Sequence, residues 1–139
     1  MASERWLRGM IVTAAVASPA AAAVLYWVEP TERSWYPRCW LHWLTGLHCP
    51  FCGTTRSGHA LLNGDIGQAL AWNVLAVGLL PLAALWLYWT ALCVLRRGDL
   101  PVFNPPTWLV QAFLLVLLLF FVARNLPFYP FDLLAPHRL

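Results

Sequence analysis

Runs of apolar residues interrupted by short polar clusters dominate the chain. Three runs approach the 20 or so residues a helix needs to cross a bilayer. The first extends from Gly9 to Val28 without a charge, the second from about Asn73 to Leu95, and the third from about Thr107 to Ala123. Arg5 and Arg8 precede the first run, and Tyr26 and Trp27 sit at its far end, where amphipathic rings favour the membrane–water boundary. Pro19 and Pro81 fall inside the first two runs, where a missing amide donor predicts a kink. Pro105 and Pro106 stand just before the third, where a helix tolerates proline. Ala21-Ala22-Ala23 has the look of a signal cleavage site, but the apolar run continues past it, so the segment reads as an uncleaved anchor.

Between the first two runs, residues 29–72 read as a structured loop. Thr54 or Thr55 is expected to cap a short helix ending near Leu62, with Asn63-Gly64 closing it. Asp65 is expected to cap another, with Ile66, Ala69 and Leu70 at helical spacing, running on into the second span. The predicted fold is an all-α membrane protein: one domain over 1–139, three transmembrane helices, and a Cys/His/Trp-rich loop with short interfacial helices between the first and second.

Composition supports that reading. Of 139 residues, 60% are apolar and 11% charged, well below the roughly 25% charged of soluble domains. Mean hydropathy is +0.62. The nine basic residues are all arginine and scattered, so the net charge of +3 builds no stripe for nucleic acid. Arg5 and Arg8, with Arg96 and Arg97 after the second span, predict a cytoplasmic N-terminus and place the loop on the outer face. Arg33, Arg38, Arg56, Arg124 and Arg138 fall outside under this scheme.

The candidate chemistry lies in that loop. Cys39-x-x-His42 followed by Cys49-x-x-Cys52 places four soft or borderline donors within fourteen residues, a set that suits zinc or another transition metal. Only six residues, Trp43 to His48, separate the pairs, and His48 and His59 are alternative donors. The same sulfurs also suit thiol exchange, if a helix start near Thr54 and Arg56 lower a thiol pKa. They equally suit a structural disulfide joining Cys39 to Cys49 or Cys52. Cys-x-x-Cys-Gly lacks the histidine of a haem-attachment motif. Arg56 and His59 share a helix face and can hold an anion; otherwise Arg56 meets Asp65 or a helix C-terminus and His59 donates to a carbonyl. Arg124 is expected to snorkel, cap the last helix, or fold onto the loop and meet Asp65. Cys93 is expected near the opposite membrane face, and His137 in solvent. With Trp35, Trp40, Trp43 and Phe51 in it, the loop is expected to lie in the interface or to fold back onto the helices. No phosphate-binding loop, serine elbow or pair of intramembrane carboxylates appears, so no catalytic residue is assigned.

The pattern Cys39-x-x-His42, Thr45-Gly46, Cys49-Pro50-x-Cys52-Gly53, Arg56-x-x-His59, Gly64-Asp65, Ala69, Asn73 and Arg124-Asn125-Leu126-Pro127 resembles a family of small bacterial membrane proteins with a CPxCGxTR signature, a domain of unknown function. The resemblance implies a short multi-helix bundle with a Cys-bearing loop, and one constellation of Cys39, His42, Cys49, Cys52, Arg56 and His59. It implies no activity or cofactor. The functional expectation is a non-enzymatic accessory or structural subunit of a larger complex in a bacterial inner membrane, contacting lipid and other membrane subunits. The alternative is a metal-binding or thiol/disulfide redox membrane factor.

Overall fold

The computed structural model describes residues 2–30, 36, 39–98, 100–101 and 104–137. Arg33, Trp35, Arg38 and Arg138 lie outside these, so the expectations placed on them do too. Among the described residues the secondary structure is entirely helical. In chain order the α-helices are α1 (Ala2–Trp27), α2 (Trp40–Thr45), α3 (Thr54–Leu62), α4 (Ile66–Trp72), α5 (Val74–Arg97) and α6 (Thr107–Arg124), followed by a 3₁₀ turn at Phe131–Leu134.

Helices α1, α5 and α6 are each long and apolar enough to cross a membrane. They cover the three expected spans, and both Pro19 and Pro81 stay inside continuous helices. Few of their residues are buried within the chain. That is what lipid permits: with hydrocarbon as solvent, an apolar face needs no protein cover, whereas every backbone amide must bond internally, as a helix achieves.

Helices α1 and α5 pack antiparallel. Leu25 and Leu80 approach Gly58 at one end of the pair, and Ser18 Oγ shares a 2.7 Å hydrogen bond with Tyr88 OH further along. Gly58 lets α3 wedge in here: a Cβ added to it would lie 3.1 Å from Leu25 Cδ2 and 3.5 Å from Leu80 Cδ1. The small core sits in the same place. Ala60, Ala69 and Trp72 are buried together, with Leu61 and Val77 against them. Ser57, fully buried, donates to the Ala69 carbonyl at 2.9 Å.

Two expectations need correction. Helix α4 does not run on into α5. Asn73 between them is extended (φ −166°, ψ 104°), and its side chain caps α5 by accepting from the Ala76 amide at 3.2 Å. Asparagine competes with the helix for backbone partners, which favours a cap over a helix interior. Likewise no threonine caps α3. Its N-cap is Gly53, in the left-handed region at φ +81°, and the Thr54 hydroxyl donates to the Phe51 carbonyl. Asn63 and Gly64 do close α3, and Asp65 does cap α4, accepting from the Gln68 amide at 2.9 Å.

Helix α6 stands apart. It packs against the 3₁₀ turn and makes no extensive contact with α1 or α5. Its attachment to the remaining helices is made by the residues at its C-terminal end.

Candidate metal centre

Three short backbone devices bring the sulfurs together. Cys39 is the N-cap of α2, and its carbonyl accepts from the Trp43 amide. Helix α2 ends at Gly46, in the left-handed region, which reverses the chain towards His48. Cys49-Pro50-Phe51-Cys52 then forms a tight turn closed by the Cys52 amide donating to the Cys49 carbonyl at 3.0 Å. The result is a trio: Cys39, Cys49 and Cys52 Sγ all lie within 4.8 Å of one another. The Cys39 thiol donates to Cys49 Sγ at 3.4 Å.

The cysteines differ in environment. Cys52 is 8% exposed, and its thiol pKa is pushed up to about 12 by burial and by the neighbouring Cys39 and Cys49 thiols. The lowered value expected at a helix start is therefore not found at Cys52: the cost of burying a thiolate outweighs the α3 dipole. For Cys39 burial again opposes ionisation, but the hydrogen bonds of the His42 amide and of the two other thiols prevail and hold its pKa below the usual thiol value.

His42 lies beside the trio without joining it. Its ring stacks on His48, with centroids 4.5 Å apart and planes 16° from parallel. Burial, then the charges of His42 and Arg124, keep the His48 pKa below the usual imidazole value. His59 sits elsewhere, with Nδ1 2.6 Å from the Leu25 carbonyl, the carbonyl contact anticipated for it. Cys93 lies twenty residues into α5, about 30 Å along a helix at 1.5 Å per residue, and is far from the trio.

The floor of the site comes from the far end of the chain. Arg124, 1% exposed, donates through Nη2 to the Cys52 and Trp72 carbonyls at 2.7 and 2.9 Å, and through Nη1 to the Pro50 carbonyl at 3.3 Å. It does not meet Asp65. The reason is local: the Asn73 break leaves the Trp72 carbonyl without a helical partner, and the Cys49–Cys52 turn points two more carbonyls the same way. Asn73 Nδ2 also donates to the Pro50 and Cys52 carbonyls, at 2.9 and 3.1 Å. Asn125 completes the attachment. Its amide brackets His48, accepting from the His48 N–H at 2.8 Å and donating to the His48 carbonyl at 2.9 Å. Arg124 does fold onto the loop, one of the placements expected for it, but its partners there are backbone carbonyls, which carry no mark in sequence.

Arg56 turns away from the sulfurs. Its Nε donates to the Pro30 carbonyl at 3.1 Å, and its guanidinium lies over the Trp72 ring, 4.8 Å from the centroid. His137 is not in open solvent: its amide donates to the Ala71 carbonyl and its carbonyl accepts from Gln68, so the tail folds back on α4.

Residues 39–87 match the model of a family described as a protein of unknown function (DUF2752). The DUF2752 match begins at the first sulfur and runs through α2, α3 and α4 into α5. It holds all three cysteines of the trio, with Arg56, His59, Asp65 and Asn73, and stops short of Arg124. No curated protein and no solved structure matches the chain.

Proposed function

We propose that this is a small, non-enzymatic, multi-pass protein of a bacterial inner membrane whose outer loop holds one soft transition-metal ion, zinc foremost, through Cys39, Cys49 and Cys52. The observation that carries this reading is the convergence of three sulfurs within 4.8 Å. A tetrahedral zinc with zinc–sulfur bonds of about 2.3 Å sets its sulfurs about 3.8 Å apart, so the trio needs little movement to bind. Charge supports it as well. Three thiolates and a divalent ion sum to minus one, and the buried Arg124 guanidinium, which hydrogen-bonds carbonyl oxygens and lies over the Phe120 ring but meets no carboxylate among the described residues, supplies the balancing positive charge. A metal also stabilises thiolate outright, which removes the burial penalty that keeps Cys52 protonated. The fourth position belongs to a donor outside the trio, and His42 is the one the Cys-x-x-His spacing nominates.

Elemental analysis of the reduced, detergent-purified protein tests this. We expect about one metal ion per chain, lost in Cys49→Ser and kept in Cys93→Ser. Metal-free protein with its thiols intact overturns the reading. Metal-free protein whose Cys39, Cys49 and Cys52 resist alkylation until reduced overturns it in favour of a structural disulfide.

A second reading concerns α6. A span that makes no extensive contact with α1 or α5 among the described residues offers its apolar sides to other membrane subunits, which supports an accessory role in a larger complex. Extraction in mild detergent is expected to yield an assembly larger than one chain, and a bare monomer would count against it.

A further inference from the structure

Helix α2 is the most apolar short element of the chain and lacks protein cover. It has no buried residue, and it makes no extensive contact with another helix among the described residues. Trp40, Trp43 and Leu44 are 73, 69 and 67% exposed, and Leu41, Leu47 and Phe51 are exposed beside them. We propose that α2 and the turn after it lie immersed in the membrane, at the boundary of headgroups and acyl chains, with lipid as the partner of these six side chains.

The first support is the helix itself. A six-residue helix cannot hold together alone in water, and nothing in the chain packs over this one, so its surroundings supply the burial. Its polar groups are ready for a medium poor in water. The Cys39 carbonyl accepts from the Trp43 amide, and the His42 carbonyl from the Gly46 amide. The Thr45 hydroxyl donates to the Leu41 carbonyl and accepts from the Leu47 amide, and the His42 ring stacks on His48. Bonded polar groups cost little to bury, whereas unbonded ones cost much. From Cys39 to Thr55 there is no Asp, Glu, Lys or Arg, so no charge resists the transfer.

The second support is depth. The turn after α2 is tied to two span ends. Asn73, the N-cap of α5, donates to the Pro50 and Cys52 carbonyls. Arg124, the last residue of α6, reaches the same two oxygens, and Asn125 brackets His48. The loop is thereby held at the plane where the apolar spans stop, the level that tryptophan favours. Geometry separates lipid from a protein partner: a docking partner covers one face of a helix, whereas α2 presents apolar side chains all round, which suits a fluid. Cys39 opens α2 and shares its depth, so a metal or a thiol reagent reaches that sulfur through the headgroup layer.

The test is fluorescence of the full-length protein in phosphatidylcholine nanodiscs, with bromine on the acyl chains either near the headgroup or near the chain end. The signal of α2 is the difference between wild type and Trp40→Phe/Trp43→Phe, a pair that keeps rings at both positions. That component is expected to dim most with bromine near the headgroup, and to be little affected by aqueous acrylamide. Dimming by acrylamide without dimming by bromine places α2 in water and overturns the proposal. Dimming by neither reveals cover by a second copy or another subunit and overturns it too, as does strongest dimming by chain-end bromine. A measurement on wild type alone guards against misfolding of the variant. A phospholipid with a diazirine near its glycerol is photolysed in the same nanodiscs, and adducts are expected within residues 40–51. Adducts on α1, α5 and α6 with none in that segment overturn the proposal.

Discussion

Replacing Arg124 by methionine is expected to destabilise the reduced protein by about 3 kcal/mol, the net of two opposed effects. The guanidinium makes three hydrogen bonds to carbonyls, each worth about 1.5–3 kcal/mol when one partner is charged. Against that gain stands the cost of burying a cation, several kcal/mol after relaxation. Its Nε, buried and without a hydrogen-bond partner, adds to that cost. Methionine fills similar volume and removes the buried charge. It also orphans the Trp72 carbonyl, whereas those of Pro50 and Cys52 keep Asn73. Arg124→Lys should fall between the two, because a single ammonium reaches fewer of the three oxygens. In detergent the methionine variant should melt on the order of 10 °C lower, and Cys52, now buried, should react faster with a bulky maleimide. An unchanged melting temperature together with unchanged Cys52 labelling would refute this role.

The second large effect is expected at Gly53. Two independent constraints act there. The residue sits at φ +81°, a region that costs an alanine about 1–2 kcal/mol. A Cβ in that position would also lie 2.7 Å from the Trp72 carbonyl oxygen, a backbone atom that cannot swing aside. Relieving the clash moves the Trp72 carbonyl away from Arg124, so one added methyl also weakens the contact that joins α6 to the site. Gly53→Ala is therefore expected to cost about 3 kcal/mol in total, the local strain plus part of a charged hydrogen bond, and to reproduce the maleimide sensitivity of the Arg124 variant. Gly46→Ala supplies the comparison. Gly46 has a similar φ of +74° but open space around it, so only the conformational cost applies there. Equal losses at both glycines would show that the steric contact carries no weight.

What the sequence revealed follows from the range of the interactions involved. The three spans were legible because a bilayer-length apolar run is a local property. The turns of α3 and the Asp65 cap were legible for the same reason. Helix α2 was not, because six residues around a Cys-x-x-His motif carry too little periodicity to register. The break at Asn73 was also hidden: asparagine is admissible inside a helix, and the extended backbone there goes with where its amide finds carbonyls, at Pro50 and Cys52, 23 and 21 residues earlier. Of the candidate ligands, three cysteines converge and His42 stacks on His48 instead, a choice made by the reversal at Gly46. Arg124 was the least readable position. Its partners are main-chain oxygens, which every residue possesses, so no complementary side chain signals the contact in advance.

The bonds from Arg124 to Cys52 and from Asn125 to His48 join residues 72 and 77 positions apart. During synthesis the sulfur-bearing turn therefore emerges well before Arg124 and Asn125, and of its side-chain partners only Asn73 can reach the Pro50 and Cys52 carbonyls until the last span has been inserted. Maturation of the cysteines, by whatever agent reaches them, has a window before the turn is clamped, and a chain that terminates at Ala123 would never close it.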